Sequence, residues 1–598
     1  MVVKLTHNAL KVLEERYLLR DDRGNIIETP EQLFRRVASV VASADRFYGK
    51  DGTEIKKTEE EFFQLMNNLE FLPNTPTLMN AGTELGQLSA CFVIPVEDNI
   101  PSIFEAVRIM AIIHKTAGGT GFSFSKIRPR GDLVKSTHGI ASGPLSYMKI
   151  FDVATETIKQ GGKRRGANMG VLRVDHPDIL EFIQAKSNEG FLTNFNISVA
   201  VTDKFMQAIE KNQNYELINP RTKSSVKKLN ARKVWKMMIE YAWKTGDPGV
   251  IFIDEINRTN PTSHIGLIES TNPCGEQPLH PYESCNLGSI NLSKMVENGE
   301  MNWRKFEDTI KKCVHFLDNV IDANKYPLKE IEKMTNANRR IGFGVMGFAD
   351  MLIQLGIPYN SEDALQLGER LMKFVESTSH KESIELGKER GSFPNFKGSL
   401  WNKKGYVSMR NASVTTIAPT GTISLISGCS SGIEPLFAIV FERHILDGKK
   451  LIEINPLFEK VAKERGFYSE KLMKKIARYG SVQKIKEVPK DLKKIFVTAH
   501  DISPDWHVKM QAVFQKYTDN AVSKTVNLSH NAPIKDVEKI YWFAYKLKCK
   551  GVTVYRYGSK PDQVLNLESA IKPKSKQKYV SAAPDYAGGC PTPFCPWS

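Results

Sequence analysis

The chain of 598 residues predicts an α/β fold, either a barrel or a doubly wound sheet. Between residues 71 and 440, short apolar runs such as ACFVIPV, ISVAVT and PGVIFID alternate with amphipathic segments such as RKVWKMMIEYAWKT. Strands that alternate with helices over this length are typical of both architectures. The hydrophobic share of 41% lies in the globular range and allows a large core.

The chain divides into three parts by composition. Residues 1–70 carry apolar side chains at every third or fourth position, which predicts a small helical region. The α/β pattern follows over 71–560, and the basic segment 441–500 within it is expected to be a helical insertion. Residues 561–598 are rich in Pro, Gly, Ser and Lys and lack periodicity, so we expect a flexible tail.

Basic residues exceed acidic residues, 83 against 67, which gives a formal charge of +16. Part of this excess lies in 471–500, where nine Lys and Arg stand against two Asp and Glu. Such patches bind nucleic acid in some proteins, but here no aromatic residues alternate with the charges at a stacking period. A solvated helix face is the favoured interpretation, and no nucleic-acid partner is expected.

The expected cellular location follows from the lack of long apolar runs in the sequence. No run approaches the ~18 apolar residues of a membrane span, and the first residues meet a charge every few positions. A cytoplasmic protein with no membrane partner is therefore expected. The eight cysteines are expected to be free, metal-bound or catalytic in such a compartment.

Gly342, Gly344 and Gly347 in IGFGVMG match the dinucleotide fingerprint G-x-G-x-x-G. That fingerprint follows directly on an apolar strand, whereas the preceding KMTNANRR is polar and basic. We therefore predict that these glycines serve close helix packing and bind no dinucleotide.

The segment STNPCGEQ places Asn272, Cys274 and Glu276 two residues apart. In an extended strand, alternate side chains point to the same face, so this spacing predicts that an amide, a thiol and a carboxylate converge. Such a set offers a nucleophile or hydrogen-atom donor, a base, and a group that holds a substrate hydroxyl. The alternative is a structural cysteine in a turn rich in Gly and Pro.

Other cysteines differ in their surroundings. Cys91 and Cys285 stand at the edges of short apolar runs, whereas Cys590 and Cys595 end the tail with the spacing C-x4-C. The terminal pair has no second pair to complete a zinc site, and no metal site is predicted. A mobile dithiol that carries electrons is the favoured interpretation, and a disordered end is the alternative.

The segment APTGTISLISG opens an apolar helical run with hydroxyl groups and a glycine. Backbone N–H groups at such a helix start, together with the side chains of Thr420, Thr422 and Ser424, predict a phosphate site. An ordinary capped helix is the alternative, since Ser and Thr begin many helices.

Together these patterns resemble the catalytic subunit of ribonucleotide reductases over most of residues 70–560. The blocks that carry the resemblance stand in the family's order: FLPNTPTLMNAG, QLSACFV, AGGTGFSFSKIRPRG, QGGKRRGANMGVL, STNPCGEQ, ESCNLGSINL, NRRIGFGVMGFADML and APTGTISLISG. The resemblance implies a ten-stranded α/β barrel with a central finger loop, preceded by the small helical region.

The resemblance also implies roles for the polar set. Cys274 is expected to become a thiyl radical that takes the 3′ hydrogen of the substrate ribose. Glu276 is the expected base for the 3′ hydroxyl, and Asn272 holds and polarises the substrate. Cys91 and Cys285 are expected to reduce the 2′ position and close to a disulfide. The implied enzyme is a ribonucleoside-diphosphate reductase.

Two nucleotide sites follow from the same resemblance. A deoxynucleoside triphosphate or ATP is expected to set substrate specificity at Asp98, Lys126, Arg128, Lys163 and Arg164. The ribonucleoside diphosphate is expected to contact Thr75, Ser89, Ala90, Cys91, Gly119, Asn272, Pro273, Cys274, Gly275, Glu276, Pro419, Thr420, Gly421, Thr422, Ile423 and Ser424.

The expected cofactor is adenosylcobalamin. Family members with a separate radical-generating subunit carry two adjacent tyrosines near the end of the barrel, whereas here Arg556 stands between Tyr555 and Tyr557. Gly588 and Gly589 do not form the motif of the glycyl-radical kind. The sequence is most similar to the kind in which homolysis of a carbon–cobalt bond makes the radical.

Two alternatives are kept. One is the large subunit of a two-subunit, metal-dependent reductase. The other is a non-catalytic nucleotide- or RNA-binding protein, against which the complete set of Asn272, Cys274 and Glu276 argues. Thioredoxin or a similar dithiol is the expected reductant, acting through Cys590 and Cys595, and a homodimer is left open.

Overall fold

The computed structural model describes residues 3–134, 138–160, 164–187, 190–444, 450–559, 565–566 and 581–582. The strands are β1 (Phe71–Pro73), β2 (Cys91–Val93), β3 (Gly119–Ser123), β4 (Leu133–Val134), β5 (Gly139–Ile140), β6 (Lys159–Gln160), β7 (Arg164–Arg165), β8 (Asn168–Arg173), β9 (Phe195–Val201), β10 (Asn214–Ile218), β11 (Ser225–Asn230), β12 (Gly249–Phe252), β13 (Ser270–Thr271), β14 (Pro278–Leu279), β15 (Glu283–Asn291), β16 (Val296–Glu297), β17 (Glu300–Met301), β18 (Ile341–Met346), β19 (Val440–His444), β20 (Lys450–Ile454), β21 (Thr525–Leu528), β22 (Gly551–Arg556), β23 (Leu565–Asn566) and β24 (Ser581–Ala582).

The α-helices are α1 (His7–Arg16), α2 (Pro30–Ala42), α3 (Gly52–Asn67), α4 (Thr75–Asn80), α5 (Ile100–Lys115), α6 (Pro144–Thr157), α7 (Ile179–Gln184), α8 (Asp203–Glu210), α9 (Ala231–Thr245), α10 (Ile253–Arg258), α11 (Trp303–Ala323), α12 (Lys329–Asn338), α13 (Phe348–Gln354), α14 (Glu362–Arg390), α15 (Leu400–Lys403), α16 (Gly421–Ser427), α17 (Pro456–Glu464), α18 (Glu470–Tyr479), α19 (Lys490–Ile495), α20 (Pro504–Gln515) and α21 (Ile534–Lys546). Short 3₁₀ helices cover Ser43–Tyr48, Ala185–Ser187, Ser263–Ile265, Leu292–Lys294 and Pro394–Phe396.

The N-terminal region is helical, as its periodicity predicts. Its helices α1, α2 and α3 begin at side-chain caps, with Thr6, Thr29 and Asp51 accepting backbone hydrogen bonds. The caps of α2 and α3 are complete capping boxes, because a Gln or Glu three residues on reaches back to the cap. The apolar faces of these helices join one core with α11 and the first barrel strands.

The central sheet has ten strands and is mixed. Strands β2, β3, β8, β9 and β12 run parallel to one another, while β15 and β22 pair antiparallel with β2 and β12 at the two ends of that set. Strands β18 and β21 extend the sheet beyond β15 and β22, and β1 pairs with β15 as well. Helices follow most of these strands, in agreement with the predicted α/β pattern.

The segment 413–417 closes this sheet into a barrel. On one side it bonds to β18, where Phe343 N–H donates to the carbonyl of Val414 at 2.8 Å. On the other side Ile417 N–H donates to the carbonyl of Ala521, in the extended chain that leads into β21. The prediction of a barrel is therefore confirmed, and the doubly wound alternative is wrong.

A hairpin of β13 and β14 crosses the interior of the barrel. Its carbonyls meet the wall on opposite sides: Asn196 Nδ2 donates to Pro273 O, and Thr416 Oγ1 donates to Glu276 O. Strand β3 passes so close that a Cβ on Gly121 would lie 1.7 Å from Thr271 O. Only glycine fits at this point of the wall.

The glycines of IGFGVMG lie in a strand. Gly342 and Gly344 belong to β18, and a Cβ on Gly344 would lie 2.2 Å from Thr416 O. The prediction of helix packing is therefore wrong for both, because the motif is itself a barrel strand that packs against its neighbour. Gly347 takes a positive φ of 75° and is the N-cap residue directly before α13.

The basic segment 441–500 is less helical than expected. It opens with β19 and β20, which pair antiparallel, and continues with α17, α18 and α19. Helix α18 buries Leu472, Met473 and Ile476 and exposes Lys471 and Lys474. The charges of this helix therefore lie on a solvated face. Every helix of the described chain is too short or too polar to span a bilayer.

A buried charge network joins the N-terminal helices to the barrel. Asp318 on α11 is fully buried and pairs with Arg339 at 2.9 Å, Arg410 at 3.1 Å and Arg390 at 3.5 Å. Burial alone would raise the pKa of Asp318, but the three guanidinium groups hold it below its usual range. Arg390 also pairs with Asp45, which follows α2.

We predict that Asp318→Asn lowers the free energy of unfolding by about 3–5 kcal/mol, because three buried cations lose their carboxylate. The contribution of a carboxyl with a lowered pKa is complete above its unfolded pKa of about 4 and is lost as the pH falls from there through the lowered folded pKa. The loss should therefore be largest in urea melts at pH 7 and should shrink steadily as the pH is lowered from about 4 to about 2. Asp308→Asn, which removes an exposed partner of Lys312, is the control. Equal losses in both variants would contradict this role.

Candidate active site

The tip of the β13–β14 hairpin carries Asn272, Cys274 and Glu276. It is a tight turn, because Gly275 N–H donates to Asn272 O at 3.1 Å and Gly275 takes a φ of +82°. The premise of an extended strand is therefore wrong, since the chain reverses between Asn272 and Glu276. The turn still brings the amide and the carboxyl together, and their side chains are hydrogen-bonded.

Two cysteines of the barrel wall lie beside this pair. Cys91 on β2 and Cys285 on β15 are direct cross-strand neighbours, and both are fully buried. Side chains at such positions share one face, and their Cα atoms lie about 4.5–5.5 Å apart, a Cα separation that disulfides span. Asn272 Nδ2 donates to Cys91 Sγ at 3.2 Å. Burial raises the pKa of both thiols well above the ordinary value.

Glu276 is buried and its Oε2 has no hydrogen-bond partner in the described part of the chain. Burial raises the pKa of this carboxyl to about 7, although its hydrogen bond with Asn272 acts in the opposite direction. A carboxyl with a pKa near neutral exchanges a proton readily at physiological pH, as a general base requires.

Cys274 is half-buried and lines a cavity in the barrel. The wall of this cavity also carries a buried ion pair, in which Lys524 Nζ lies 2.5 Å from Glu434 Oε2. Lys524 also donates to His507 Nδ1 at 3.1 Å, since Nε2 of this histidine donates to a backbone carbonyl. Gln511 lines the same cavity, and its Oε1 accepts no hydrogen bond from the described residues.

Sequence reasoning missed this wall. Glu434, His507, Gln511 and Lys524 come from three separate segments that meet only in the folded barrel. No spacing within any of these segments marks them, so no local signal was available to find them.

A thiol, a carboxyl of raised pKa, an amide and a thiol pair enclosed in a barrel suit radical chemistry that must exclude water. Two family models match the sequence: "Ribonucleotide reductase, barrel domain" at residues 89–409 and 406–555, and "Ribonucleotide reductase, all-alpha domain" at residues 3–86. The chain belongs to the ribonucleotide reductase family.

Relatives of this reductase support the assignment. A vitamin B12-dependent ribonucleoside-diphosphate reductase of Thermoplasma acidophilum is 51% identical, over 99% of this chain and 86% of that protein. A protein of the same name from Mycobacterium tuberculosis is 47% identical, over 99% of this chain and 84% of its own length. The α subunit of the class Id ribonucleotide reductase from Actinobacillus ureae shares the fold, with a TM-score of 0.75 over 93% of this chain and 97% of that one, at 24% identity.

The remaining predicted substrate contacts of the reductase lie beside Cys91, at the start of α4, in the hairpin tip and at the start of α16. Ser89, Ala90 and Gly119 adjoin Cys91, and Gly119 N–H donates to Ala90 O at 2.8 Å. Thr75 begins α4 and hydrogen-bonds to Tyr17 of the N-terminal region at 2.8 Å. Pro273 and Gly275 belong to the hairpin tip, and Pro273 lines the cavity with Cys274.

The predicted phosphate segment forms the beginning of α16. Thr420 takes a positive φ of 52° directly before Gly421, and its hydroxyl accepts a hydrogen bond from Gly432 N–H at 2.7 Å. The hydroxyls of Ser424 and Ser431 lie 2.9 Å apart. Pro419 lines the cavity beside Cys274, while Thr422 and Ile423 are buried in the first turn.

The predicted effector residues are partly described. Arg128 pairs with Asp98 at 2.7 Å, and Lys126 pairs with Glu97 at 2.8 Å. Of Arg164 only the backbone in β7 is described, and Lys163 lies outside the described residues. Cys590 and Cys595 also lie outside them.

We predict that Glu276→Gln stabilises the reductase in a pH-dependent way. A carboxyl whose folded pKa is about 7 resists ionisation in the folded state. Glu276 therefore lowers the free energy of unfolding only where the unfolded chain ionises it, with no loss below about pH 4.5 and the full loss above about pH 7. The shift corresponds to a gain on the order of 3 kcal/mol in urea melts at pH 8 and none near pH 4.5. The same change at exposed Glu105 is the control. A gain that does not vary with pH would refute the raised pKa.

Proposed function

We propose that the chain is a vitamin B12-dependent ribonucleoside-diphosphate reductase. It reduces ribonucleoside diphosphates to 2′-deoxyribonucleoside diphosphates by a thiyl-radical mechanism. The observation that carries this proposal is the enclosure of Asn272, Cys274 and Glu276 in one hairpin beside the pair Cys91 and Cys285. The names of the relatives at 51% and 47% identity support the same activity.

The hairpin residues act on the 3′ carbon of the ribose. The thiyl radical of Cys274 takes the 3′ hydrogen atom and becomes a thiol, which leaves an unpaired electron on that carbon. Glu276 accepts the proton of the 3′ hydroxyl, a role that its pKa of about 7 allows near neutral pH. The amide of Asn272 holds the substrate hydroxyls and orients Glu276 by their hydrogen bond.

The wall cysteines supply the two electrons of the reduction. The 2′ hydroxyl takes a proton from the pair Cys91 and Cys285 and leaves as water. The pair then delivers the second hydrogen and two electrons to the sugar and closes to a disulfide. Glu276 returns the proton to the 3′ oxygen, and Cys274 returns the 3′ hydrogen atom and is a thiyl radical again. The cross-strand register of Cys91 and Cys285 supports this closure, because it places the two thiols side by side on neighbouring strands.

The cavity beside Cys274 suits the nucleoside part of adenosylcobalamin. The buried Oε1 of Gln511 has no donor among the described residues, and ribose hydroxyls or an adenine amine would supply one. Glu434 and Lys524 offer further polar contacts on the same wall. When bound, this cofactor supplies a carbon-centred radical by homolysis of its carbon–cobalt bond. The residues of the wall would hold it and exclude water from Cys274.

Nucleotide phosphates have two proposed sites. The substrate diphosphate binds at the start of α16 and in the loop 419–424, where N–H groups of the first helical turn face outward along the axis. A deoxynucleoside triphosphate or ATP binds near Asp98, Lys126 and Arg128 and sets substrate choice. A dithiol protein such as thioredoxin restores the thiols through Cys590 and Cys595, and a homodimer stays an expectation.

The test is an anaerobic assay of the purified chain with adenosylcobalamin, a ribonucleoside diphosphate and dithiothreitol. We expect deoxynucleotide product from the chain alone and none without the cofactor. Cys274→Ser should lower turnover by at least about 10⁴-fold, since the hydroxyl bond is too strong for the radical to transfer, and should leave nucleotide binding unchanged. Absence of product that a separate metal-containing subunit restores would favour the two-subunit alternative.

A second prediction concerns the tail. The double change Cys590→Ser and Cys595→Ser should limit thioredoxin-driven reduction to about one product per active site, because the wall pair is buried and no carrier reaches it. Small dithiothreitol should still support many turnovers. Cys429→Ser, which removes a half-buried thiol outside both pairs, is the control. Full thioredoxin-driven turnover of the double variant would exclude the tail as carrier.

A further inference from the structure

A groove outside the active site has a volume of about 1130 Å³. It lies between α14 and α20 and is bounded by α10, by the segment 400–406 and by the turn before β22. It shares no lining residue with the cavity of Cys274, and none of its residues has a role in the reaction proposed above. Apolar side chains such as Leu365 and Val513 form part of its wall.

The groove carries an excess of positive charge after its ion pairs are formed. Glu255, Glu369 and Asp519 are already paired, with Arg258, Lys516 and His380 respectively. Glu376 is the lining carboxyl left without an ion pair within the described chain. By the same criterion, the lining ammonium groups left without a carboxylate are those of Lys381, Lys404, Lys548 and Lys550.

The excess of positive charge in the groove costs free energy mainly at Lys550, whose ammonium group is buried. Its side chain is 5% exposed, and its ammonium group donates to the carbonyls of Asp519 at 2.6 Å and Asn520 at 2.5 Å. Burial lowers its pKa to about 8. The carboxylates of Glu255 and Asp519 attract this ammonium group, but its hydrogen bonds go to carbonyl oxygens and it forms no ion pair within the described chain, so an anion in the groove would stabilise it further.

A cation is disfavoured at the same place. Glu376, His380 and Asp519 bring ligand atoms within 4.8 Å of one another, which is a geometry that a metal ion could use. Asp519 Oδ2, however, already accepts hydrogen bonds from Val414 N–H at 2.9 Å and from His380. The neighbouring ammonium groups would also repel a metal ion.

We propose that this groove is an additional anion site that binds a linear phosphate chain, from a nucleoside triphosphate or from inorganic polyphosphate. Lys404 and Lys548 are exposed residues of the lining whose ammonium groups would bind the phosphate chain, while Lys550 is a buried residue of the same lining. Gln515 lines the groove with an Oε1 that accepts no hydrogen bond from the described residues, so it can take a ligand hydroxyl.

The proposal is tested by calorimetric titration of the full chain with tripolyphosphate at about 0.1 M KCl, where surface charges are screened beyond ~10 Å. The groove variant is Lys381→Ala, Lys404→Ala and Lys548→Ala, three exposed positions whose loss does not threaten the fold. The matched control is Lys471→Ala, Lys474→Ala and Lys484→Ala, which removes the same charge from the exposed face of 471–500.

We expect tripolyphosphate to bind the groove variant at least tenfold more weakly than the wild type, with less than a twofold change in the control. Active-site and effector phosphates bind equally in both variants, so the difference belongs to the groove. Titration with ATP then identifies the source: a matching tenfold loss indicates a nucleotide, and its absence indicates inorganic polyphosphate. Unchanged tripolyphosphate affinity in the groove variant, or an equal loss in the control, would overturn the proposal.

Discussion

The hairpin inside the barrel is the constraint on which the rest of the structure depends. A hairpin in an interior brings peptide groups that water no longer reaches, and each of these needs a partner from the surrounding wall. The wall supplies them from opposite sides, through Asn196 to Pro273 and through Thr416 and Ala521 to Glu276. The barrel therefore has to close around the hairpin, and the reactive side chains are held in place by hydrogen bonds to the backbone.

The electrostatics of the interior follow from the same enclosure. Glu276 and the two wall thiols lie where burial disfavours their charged forms, so the thiols remain protonated and Glu276 exchanges its proton near neutral pH. Buried positive charges in this region are paired, Lys524 with Glu434 on the cavity wall and Arg340 with Glu283 near Cys285. Thiols that stay protonated suit a radical, because a thiolate would react with it.

The parts of the fold that depend on residues close together in the sequence could be predicted from local patterns. The helical periodicity of residues 1–70, the alternation of strands and helices, and the start of α16 at Gly421 are all local patterns. Barrel closure was not visible in that way, because it depends on the single bridges by which the segment 413–417 pairs with distant strands. The strands β19 and β20 were missed for a related reason, since lysines dominate the composition of 441–500.

In the candidate active site, too, local patterns could be predicted and contacts between distant segments could not. Asn272, Cys274 and Glu276 were found by spacing, although the assumed extended strand is a turn in the structure. The proximity of Cys91 and Cys285 depends on the register of β2 and β15, which no local pattern contains. The resemblance to a family supplied that link. It did not supply the wall of Glu434, Gln511 and Lys524, which only the folded chain brings together.

The close approach at Gly121 has a consequence for how this sequence can vary. A side chain at Gly342 would meet Leu287 and other side chains, so a smaller neighbour could make room for it. At Gly121 and Gly344 the obstacle is a peptide carbonyl, of Thr271 and Thr416, which every amino acid carries. No compensating substitution elsewhere removes that obstacle. These two positions fix the register of the barrel strands relative to the chain segments that pack against them. Inserted residues therefore have to lie in loops outside the barrel.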